Sequence, residues 1–246
     1  MIKRTTVVNN NKLKELIHKH LMSHESKKKK LEIYHTGKFL LFFDNLKIEE
    51  VREEPDFILS DGKDSIGLEH KIVVQEKSKK REGYFERIFE LAETEINQDV
   101  ELPNFYASCY IKSNTNFGKK DEKYLTELVV SVVKEYIFNN KLNENAIINK
   151  ISLQPHSGKG IHANMGAWWV KYFTNDLLEK SIKAKESKVL NYREKSGIEE
   201  QWLLLIIDSG GESSFEMGKD LKLEFETKFN KIFVLEDFKN TLYELK

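Results

Sequence analysis

The order of apolar and polar residues along the chain predicts a mixture of helices and strands. Segments whose apolar residues recur every three or four positions, as on one face of a helix, are residues 10–24, 81–98, 121–138 and 175–194. Short apolar or alternating runs, which are typical of strands, are residues 39–43, 55–59, 66–74, 105–111, 151–153, 167–170, 202–208 and 231–235. The lysine run at residues 27–30 is expected to end the first helix. Since no repeat or long linker interrupts this pattern, we predict one α/β domain over residues 1–246, with a mixed sheet flanked by helices.

The two predicted strands on either side of the turn at residues 60–65 are the most informative part of the sequence. Side chains alternate between the two faces of a strand, so His70 shares a face with the apolar residues, and Glu69 and Lys71 share the other. The apolar residues of the preceding strand must lie on the apolar face, which leaves Asp56 on the face of Glu69. The hairpin therefore brings two carboxylates and one ammonium group onto one patch.

The turn allows two registers that keep these faces. With Gly62 and Lys63 as a two-residue type II′ loop, Asp56 lies directly opposite Glu69. If the loop begins one residue earlier, the two acids become diagonal neighbours instead. Both registers keep the carboxylates close together.

Two carboxylates this close favour a bound cation. Like charges directly opposite each other destabilise a sheet, and neighbouring acids raise the pKa of one of them unless a cation lies between them. Carboxylate oxygens are preferred ligands of Mg²⁺ and Mn²⁺, which retain several waters. Beside such an ion, Lys71 could orient a water or offset charge on a phosphoryl oxygen. The patch is thus a candidate metal site.

Pro55-Asp56, followed after an apolar strand by Glu69-His70-Lys71, resembles the signature of the PD-(D/E)xK nuclease superfamily, which has the restriction-endonuclease-like fold. The resemblance covers residues 10–111, where the order of predicted elements is similar to that family's αβββαβ core. Residues 112–246 would be additional C-terminal elements that complete or extend the sheet. The acid-x-Lys tripeptide recurs elsewhere in the chain, but only Glu69 lies in an alternating apolar strand after a Pro-Asp pair.

The resemblance implies a role for each of these residues. Asp56 and Glu69, with the backbone carbonyl of His70, would hold Mg²⁺ or Mn²⁺, and Lys71 would be the catalytic lysine. Many members of the family use a further acid from the first helix, for which Glu25 is better placed than Glu15. Other residues that the sequence leaves open, each with a structural role as the simpler interpretation, are Gln75, the pair His20 and His24, the loop His156–His162, Trp168-Trp169 and Asp208–Gly211.

The distribution of charged residues along the chain, rather than their total, adds to this prediction. Acidic and basic residues number 40 each, yet residues 1–40 carry ten Lys or Arg and three Glu, whereas residues 41–65 carry eight acids and three bases. A basic segment beside an acidic one is typical of a protein that meets a polyanion and holds a cation, although a solvated Lys-rich surface gives the same totals. The single cysteine excludes a disulfide scaffold and a four-thiolate metal site. No apolar run approaches the ~20 residues of a membrane span, so we expect a cytoplasmic protein without membrane contacts.

Together these features predict a metal-dependent nuclease that hydrolyses phosphodiester bonds in nucleic acid, DNA rather than RNA. The Lys-rich residues 1–40 and 175–195 would hold the nucleic-acid backbone non-specifically, so that binding weakens with added salt. The alternative is a catalytically inactive nuclease-like module that binds nucleic acid or protein. An unrelated α/β protein whose hairpin mimics the pattern is a third interpretation. A homodimer is an expected assembly, since cutting both strands of a duplex often uses two active sites.

Overall fold

The structure is a computed structural model that describes residues 1–246 except residues 24–25, 114, 116–117, 167–168 and 208–210. Its helices and strands are, in chain order, β1 (Ile2–Thr5), α1 (Asn10–Met22), α2 (Lys27–Leu40), β2 (Lys47–Val51), β3 (Phe57–Ser60), β4 (Ser65–Ile72), α3 (Glu76–Gln98), β5 (Phe105–Ile111), α4 (Glu122–Asn139), β6 (Ile148–Gln154), β7 (Lys159–Asn164), β8 (Lys171–Phe173), α5 (Asn175–Glu186), α6 (Val189–Ser196), β9 (Gln201–Ile207), β10 (Phe215–Met217), β11 (Lys231–Glu236) and β12 (Thr241–Glu244). The chain is therefore mixed α/β, as the sequence predicts.

The chain divides into two compact units. The first unit consists of Met1–Val74 and Val170–Lys246, and the second unit is the intervening Gln75–Trp169. The sequence predicts one domain over residues 1–246, because no Pro/Gly-rich or low-complexity linker marks either boundary. Each unit has apolar clusters of its own: one in the second unit and two in the first.

A seven-stranded mixed sheet forms the centre of the first unit, in the order β1-β12-β11-β9-β4-β3-β2. The strands β2, β3 and β4 form an antiparallel meander, whereas β4, β9 and β11 run parallel to one another. Every residue of β9 is buried. Leu204 and Ile206 pack on the side of α1 and α2, and Leu203 and Leu205 pack on the side of α5 and α6. Burial on both faces explains the continuous apolar run in this strand.

Two parts of the predicted core need correction. The predicted strand at 105–111 is confirmed as β5, but it belongs to the sheet of the second unit, and β9 is the parallel neighbour of β4. Residues 10–111 therefore do not form one continuous unit, because residues 10–74 belong to the first unit and residues 75–111 to the second. The predicted strand at 39–43 is also wrong, since Phe39 and Leu40 end α2 and the meander begins with β2. A short apolar run has no periodicity that separates a strand from a buried helix segment.

The helices α1 and α2 pack closely at Gly37. A Cβ atom added there would lie 2.2 Å from Ile17 Cγ2 and 2.8 Å from Leu13 Cδ1. The lysine run at residues 27–30, which the sequence predicts to end the first helix, instead opens α2. Both helices contribute to the apolar cluster that covers one face of the sheet.

Gly37→Ala is expected to destabilise the first unit by about 1–3 kcal/mol, because the added methyl overfills the α1–α2 contact. Alanine is otherwise the better helix former, so the sign of the effect reports the packing. Urea or thermal unfolding measures it. The matched control is Gly83→Ala in α3, where an added Cβ meets nothing within 4 Å and a gain of about 1 kcal/mol is expected. A similar gain from both substitutions would contradict the close contact.

The second unit has a three-stranded sheet in the order β6-β5-β7. The central strand β5 runs antiparallel to β6 and parallel to β7. Residues of α3, α4 and all three strands form its apolar core. The predicted helix at 121–138 is confirmed as α4. Trp169, for which the sequence favours a structural role, is 98% exposed, and Trp168 lies outside the described residues.

The single helix predicted over residues 175–194 is instead two helices, α5 and α6, with a break at residues 187–188. Within the described part of the chain, no helix is both long enough and apolar enough to cross a membrane.

Candidate active site

The hairpin between β3 and β4 has the first of the two predicted registers. Phe57 pairs with Leu68 and Leu59 pairs with Ile66, which confirms the loop that begins at Gly62. The φ angle of Gly62 is +92°, a value that L-residues with a Cβ rarely adopt.

The predicted faces of β4 are also confirmed. Leu68 is fully buried in the cluster beside α1 and α2, and the His70 ring contacts His35 of α2 on the same side. Glu69 lies on the opposite face, where its Oε1 accepts a hydrogen bond from the ammonium of Lys185 in α5. Because side chains alternate along β4, the pair of His35 and His70 lies on one face of the sheet and Glu69 lies on the other.

Asp56 lies immediately before β3. It is next to the part of β4 that continues beyond the residues paired with β3. The N–H of Gly67 donates to the carbonyl of Glu200 on the β9 side. Because backbone groups alternate along a strand, His70, three residues later, directs its N–H and its carbonyl to the β3 side. The His70 N–H donates to Asp56 Oδ2 at 2.8 Å. The side chain of Asp56 thus takes the place of a strand partner, next to the backbone of the residue after Glu69.

Glu69 is the more deeply buried acid, with 3% of its surface exposed. Its Oε1 pairs with Lys185, whereas its Oε2 is buried and accepts no hydrogen bond within the described residues. Tyr192 of α6 is fully buried, and burial, the charge of Glu69 and a side-chain hydrogen-bonding contact with the Glu69 carboxylate raise the pKa of its hydroxyl. Neither this hydroxyl nor Glu69 Oε2 completes a hydrogen bond of ordinary geometry among the described residues. A buried carboxylate oxygen without a donor is costly unless a ligand satisfies it.

The two acids influence each other. Burial, and then the negative charge of Glu69, raise the pKa of Asp56 to about 7. Lys29 of α2 lies 3.7 Å from Asp56 Oδ1 and forms a closer ion pair, at 2.8 Å, with Glu32. The pKa of Lys29 is raised although burial opposes this, because Glu32 and Asp56 favour its charged form. Both acids are therefore already next to lysine side chains of the protein itself, Asp56 to Lys29 and Glu69 to Lys185.

These acids lie in an open cleft of about 520 Å³. Its lining residues are Lys28, Glu50, Arg52, Glu53, Glu54, Asp56, Glu69, Lys185, Lys188, Tyr192 and Lys195. Glu54 is held by the side chains of Lys195, Asn191 and Lys188, and these contacts lower its pKa to about 2. The cleft thus combines buried acids with cationic residues from α2, α5 and α6, from the segment between α5 and α6, and from the segment after β2.

A larger cleft of about 760 Å³ also lies in the first unit, around Phe43, Asp61 and Trp202. None of its acids is among the buried polar residues; they are Asp44, Asp61, Asp64, Glu199 and Glu200. Volume alone does not mark a reactive site, whereas buried acids with a raised pKa do. The smaller cleft is therefore the better candidate.

Lys71 shares the face of Glu69, as predicted, but it does not line the cleft. Its Nζ lies 3.4 Å from the carbonyl oxygen of Ser181 in α5. Lys185 is instead the lysine whose ammonium reaches Glu69. Sequence reasoning missed Lys185, Lys29 and Tyr192, since no local motif links residues so distant in sequence to the hairpin.

The weaker candidates have other positions. Glu15 is exposed on α1, as expected, whereas Glu25 and His24 lie outside the described residues. Gln75 is the N-cap residue of α3 and does not line the cleft. The His70 ring is 5% exposed and stacks on His35, with ring centroids 5.3 Å apart. Burial, with the charge of His35 as the next cause, lowers the pKa of His70.

The described residues contain no group of three or more His, Cys, Asp or Glu side chains close enough to hold a metal ion. Asp56, Glu69 and the carbonyl of His70 are a smaller set of two side chains and one backbone group. This set suits a hard cation that keeps several waters. The buried Glu69 Oε2 completes no hydrogen bond of ordinary geometry among the described residues, so it is an oxygen that such a cation would satisfy.

Comparison of the chain with protein-family models, with curated proteins and with solved structures gave no significant match. Function is therefore inferred from the contacts described above and from their chemistry.

Proposed function

We propose that the first unit is a Mg²⁺- or Mn²⁺-dependent nuclease of the PD-(D/E)xK type that cleaves DNA. One observation carries the proposal: two buried carboxylates, Asp56 and Glu69, lie together in an open cleft with cationic residues along its lining. Burying two acids side by side raises the pKa of Asp56. A fold selected only for stability would avoid that cost.

The order of elements in the first unit supports the resemblance to the restriction-endonuclease-like fold. The helix α2, the meander β2-β3-β4, the helices α5 and α6 and the parallel strand β9 follow one another as in an αβββαβ core. In this proposal α5 and α6 take the part that the sequence assigned to residues 81–98. The second unit is then an insertion between β4 and the crossover helices.

Asp56, Glu69 and the carbonyl of His70 would hold the cation. When bound, Mg²⁺ would lower the pKa of a water and offset negative charge on the phosphoryl group. Lys188, Lys195 and Arg52 would bind the phosphates of the DNA backbone. The resemblance implies Lys71 as the catalytic lysine, and in this proposal its ammonium would leave the Ser181 carbonyl to enter the cleft. Lys185 offsets the charge of Glu69 in the metal-free protein.

A nuclease-like module without catalytic activity is the second candidate function. It is favoured by one contact, the ion pair between Lys185 and Glu69. If this ion pair persists in the presence of divalent cations, Glu69 is neutralised and the cleft serves only to bind nucleic acid.

The proposal is tested with purified protein and supercoiled plasmid DNA. Nicking is expected with Mg²⁺ or Mn²⁺ and not with EDTA. A protein that binds the plasmid but leaves it intact with both metal ions would support the second candidate.

Mn²⁺ is expected to raise the melting temperature of the wild-type first unit. A ligand at a hundred times its Kd stabilises by about 2.7 kcal/mol, which corresponds to roughly 5–10 °C for a unit of about 150 residues. Glu69→Gln should abolish this rise because it removes the buried charge. Glu49→Gln, an exposed acid on β2 outside the cleft, should keep it. An equal rise in the wild type and in Glu69→Gln would contradict the assigned site.

A further inference from the structure

The outer face of the second unit's sheet has an unusual composition. The inner-face residues of β5, Phe105, Ala107, Cys109 and Ile111, are buried in the core with α3 and α4. Strand register then defines the side chains on the opposite face, which are Tyr106, Ser108 and Tyr110 of β5, Lys150, Ser152 and Gln154 of β6, and Gly160, His162 and Asn164 of β7. We call these nine residues the outer face.

Two tyrosines lie on the central strand of the outer face, four residues apart. Both are half-buried. Four residues of strand span about 13 Å, so the two rings are far enough apart to contact different groups of one ligand. An added Cβ at Gly160 would lie 2.9 Å from Cδ2 of Tyr106, so the absence of a side chain there lets this ring lie against the β7 backbone. A flat ring supported from below is a suitable surface for stacking.

Each tyrosine has a nitrogen-containing side chain beside it. Lys150 Nζ lies over the Tyr110 ring, 5.2 Å from its centroid, so it would move aside when a base stacks there. The His156 ring lies 5.9 Å from that of Tyr106, at an angle of 49°. Between the tyrosines, the Asn164 amide donates to the Ser108 hydroxyl at 3.1 Å. Two aromatic rings, one lysine and small polar groups therefore lie next to one another on the face.

The outer face carries no acid, although the chain has 40 Asp and Glu residues. One carboxylate, that of Glu93, lies at the β7 edge and accepts the Ile161 N–H at 2.8 Å. The outer face also has no aliphatic side chain, which an obligate protein interface would require. Its charge and its polar groups complement an anionic ligand that has flat rings.

We propose that the outer face binds single-stranded DNA, with bases stacking on Tyr106 and Tyr110 and with Lys150 beside a backbone phosphate. Aromatic side chains on an open sheet, combined with cations, are a sequence-tolerant way to bind single strands, because every base has a stacking face. The site lies entirely within the second unit and does not need the acidic cleft. Only the choice of DNA over RNA rests on the proposed function.

The proposal is tested by fluorescence anisotropy with a labelled oligo-dT of about 20 nucleotides, in EDTA so that binding is measured without cleavage. Tyr106→Ala and Tyr110→Ala are each expected to weaken binding about tenfold, and the double variant about a hundredfold. Tyr106→Phe and Tyr110→Phe keep the rings and should bind as the wild type does. Tyr124→Ala, which removes an exposed tyrosine of α4, is the matched control. Circular dichroism establishes that each variant is folded.

Three outcomes would overturn the proposal. Alanine variants that are folded and bind like the wild type would exclude stacking. An abasic oligonucleotide that binds as tightly as oligo-dT would reduce the interaction to charge alone, and tighter binding of duplex DNA or of oligo-rU would exclude single-stranded DNA as the preferred ligand. Failure of the nuclease proposal would instead appear as intact plasmid with Mg²⁺, while oligo-dT binding in EDTA still depends on the two tyrosines.

Discussion

Glu69→Gln is expected to reduce DNA cleavage by at least about a thousandfold, because it removes the charge of the buried carboxylate while keeping its shape. A bound metal ion supplies several kcal/mol of transition-state stabilisation, and about 4 kcal/mol corresponds to that factor. In the variant, the amide oxygen can still accept the hydrogen bond that Lys185 donates to Glu69. The first unit should therefore remain folded, so that the loss is one of chemistry.

Plasmid nicking in Mg²⁺ and in Mn²⁺ measures this loss, with circular dichroism and the melting temperature as tests of folding. Glu49→Gln is the control, since it removes an exposed acid of β2 that does not line the cleft. Its activity should equal that of the wild type. Nicking that persists at the wild-type rate in Glu69→Gln would mean that the assigned carboxylate is not part of a nuclease site.

The hairpin that holds the acids could be predicted because its constraints are local. Phe57, Leu59 and Leu68 must all lie on the apolar face, and Gly62 suits the first position of a tight turn. A slip of one residue would turn every side chain to the other face. The relation between Asp56 and Glu69 follows from these two constraints alone.

The rest of the site could not be predicted because it depends on contacts between distant segments. Lys185 lies 116 residues after Glu69 in the sequence, and the second unit separates them along the chain. The apolar run of β9 predicts a buried strand, but it does not indicate that this strand pairs with β4 rather than with another buried strand. The sequence assigned the predicted strand at 105–111 to the core because it follows the hairpin and the next predicted helix in the order of an αβββαβ core.

Asp56 is also expected to limit the stability of the metal-free protein. A pKa of about 7, against an ordinary value of 3.8, means that the folded state keeps its proton over a pH range in which the unfolded chain has lost it. Stability therefore falls as the pH rises through this range. Near pH 8, where Asp56 is ionised in both states, its raised pKa costs the folded state about 4 kcal/mol; near pH 5, where only the folded state keeps the proton, the cost is about 2 kcal/mol.

Asp56→Asn is accordingly expected to stabilise the metal-free first unit, by up to about 4 kcal/mol near pH 8 and by about half as much near pH 5. The amide oxygen can still accept the His70 N–H that Asp56 Oδ2 accepts at 2.8 Å, so the change isolates the cost of the charge. Urea unfolding in EDTA at both pH values measures the difference from the wild type, with Glu49→Gln as a control that should show no such pH dependence. A destabilised Asp56→Asn variant, or a gain that does not change with pH, would show that Asp56 is not held at a raised pKa. A gain that grows with pH would mean that Asp56 reduces stability in the absence of a ligand, which is the behaviour expected of a carboxylate kept for binding a cation.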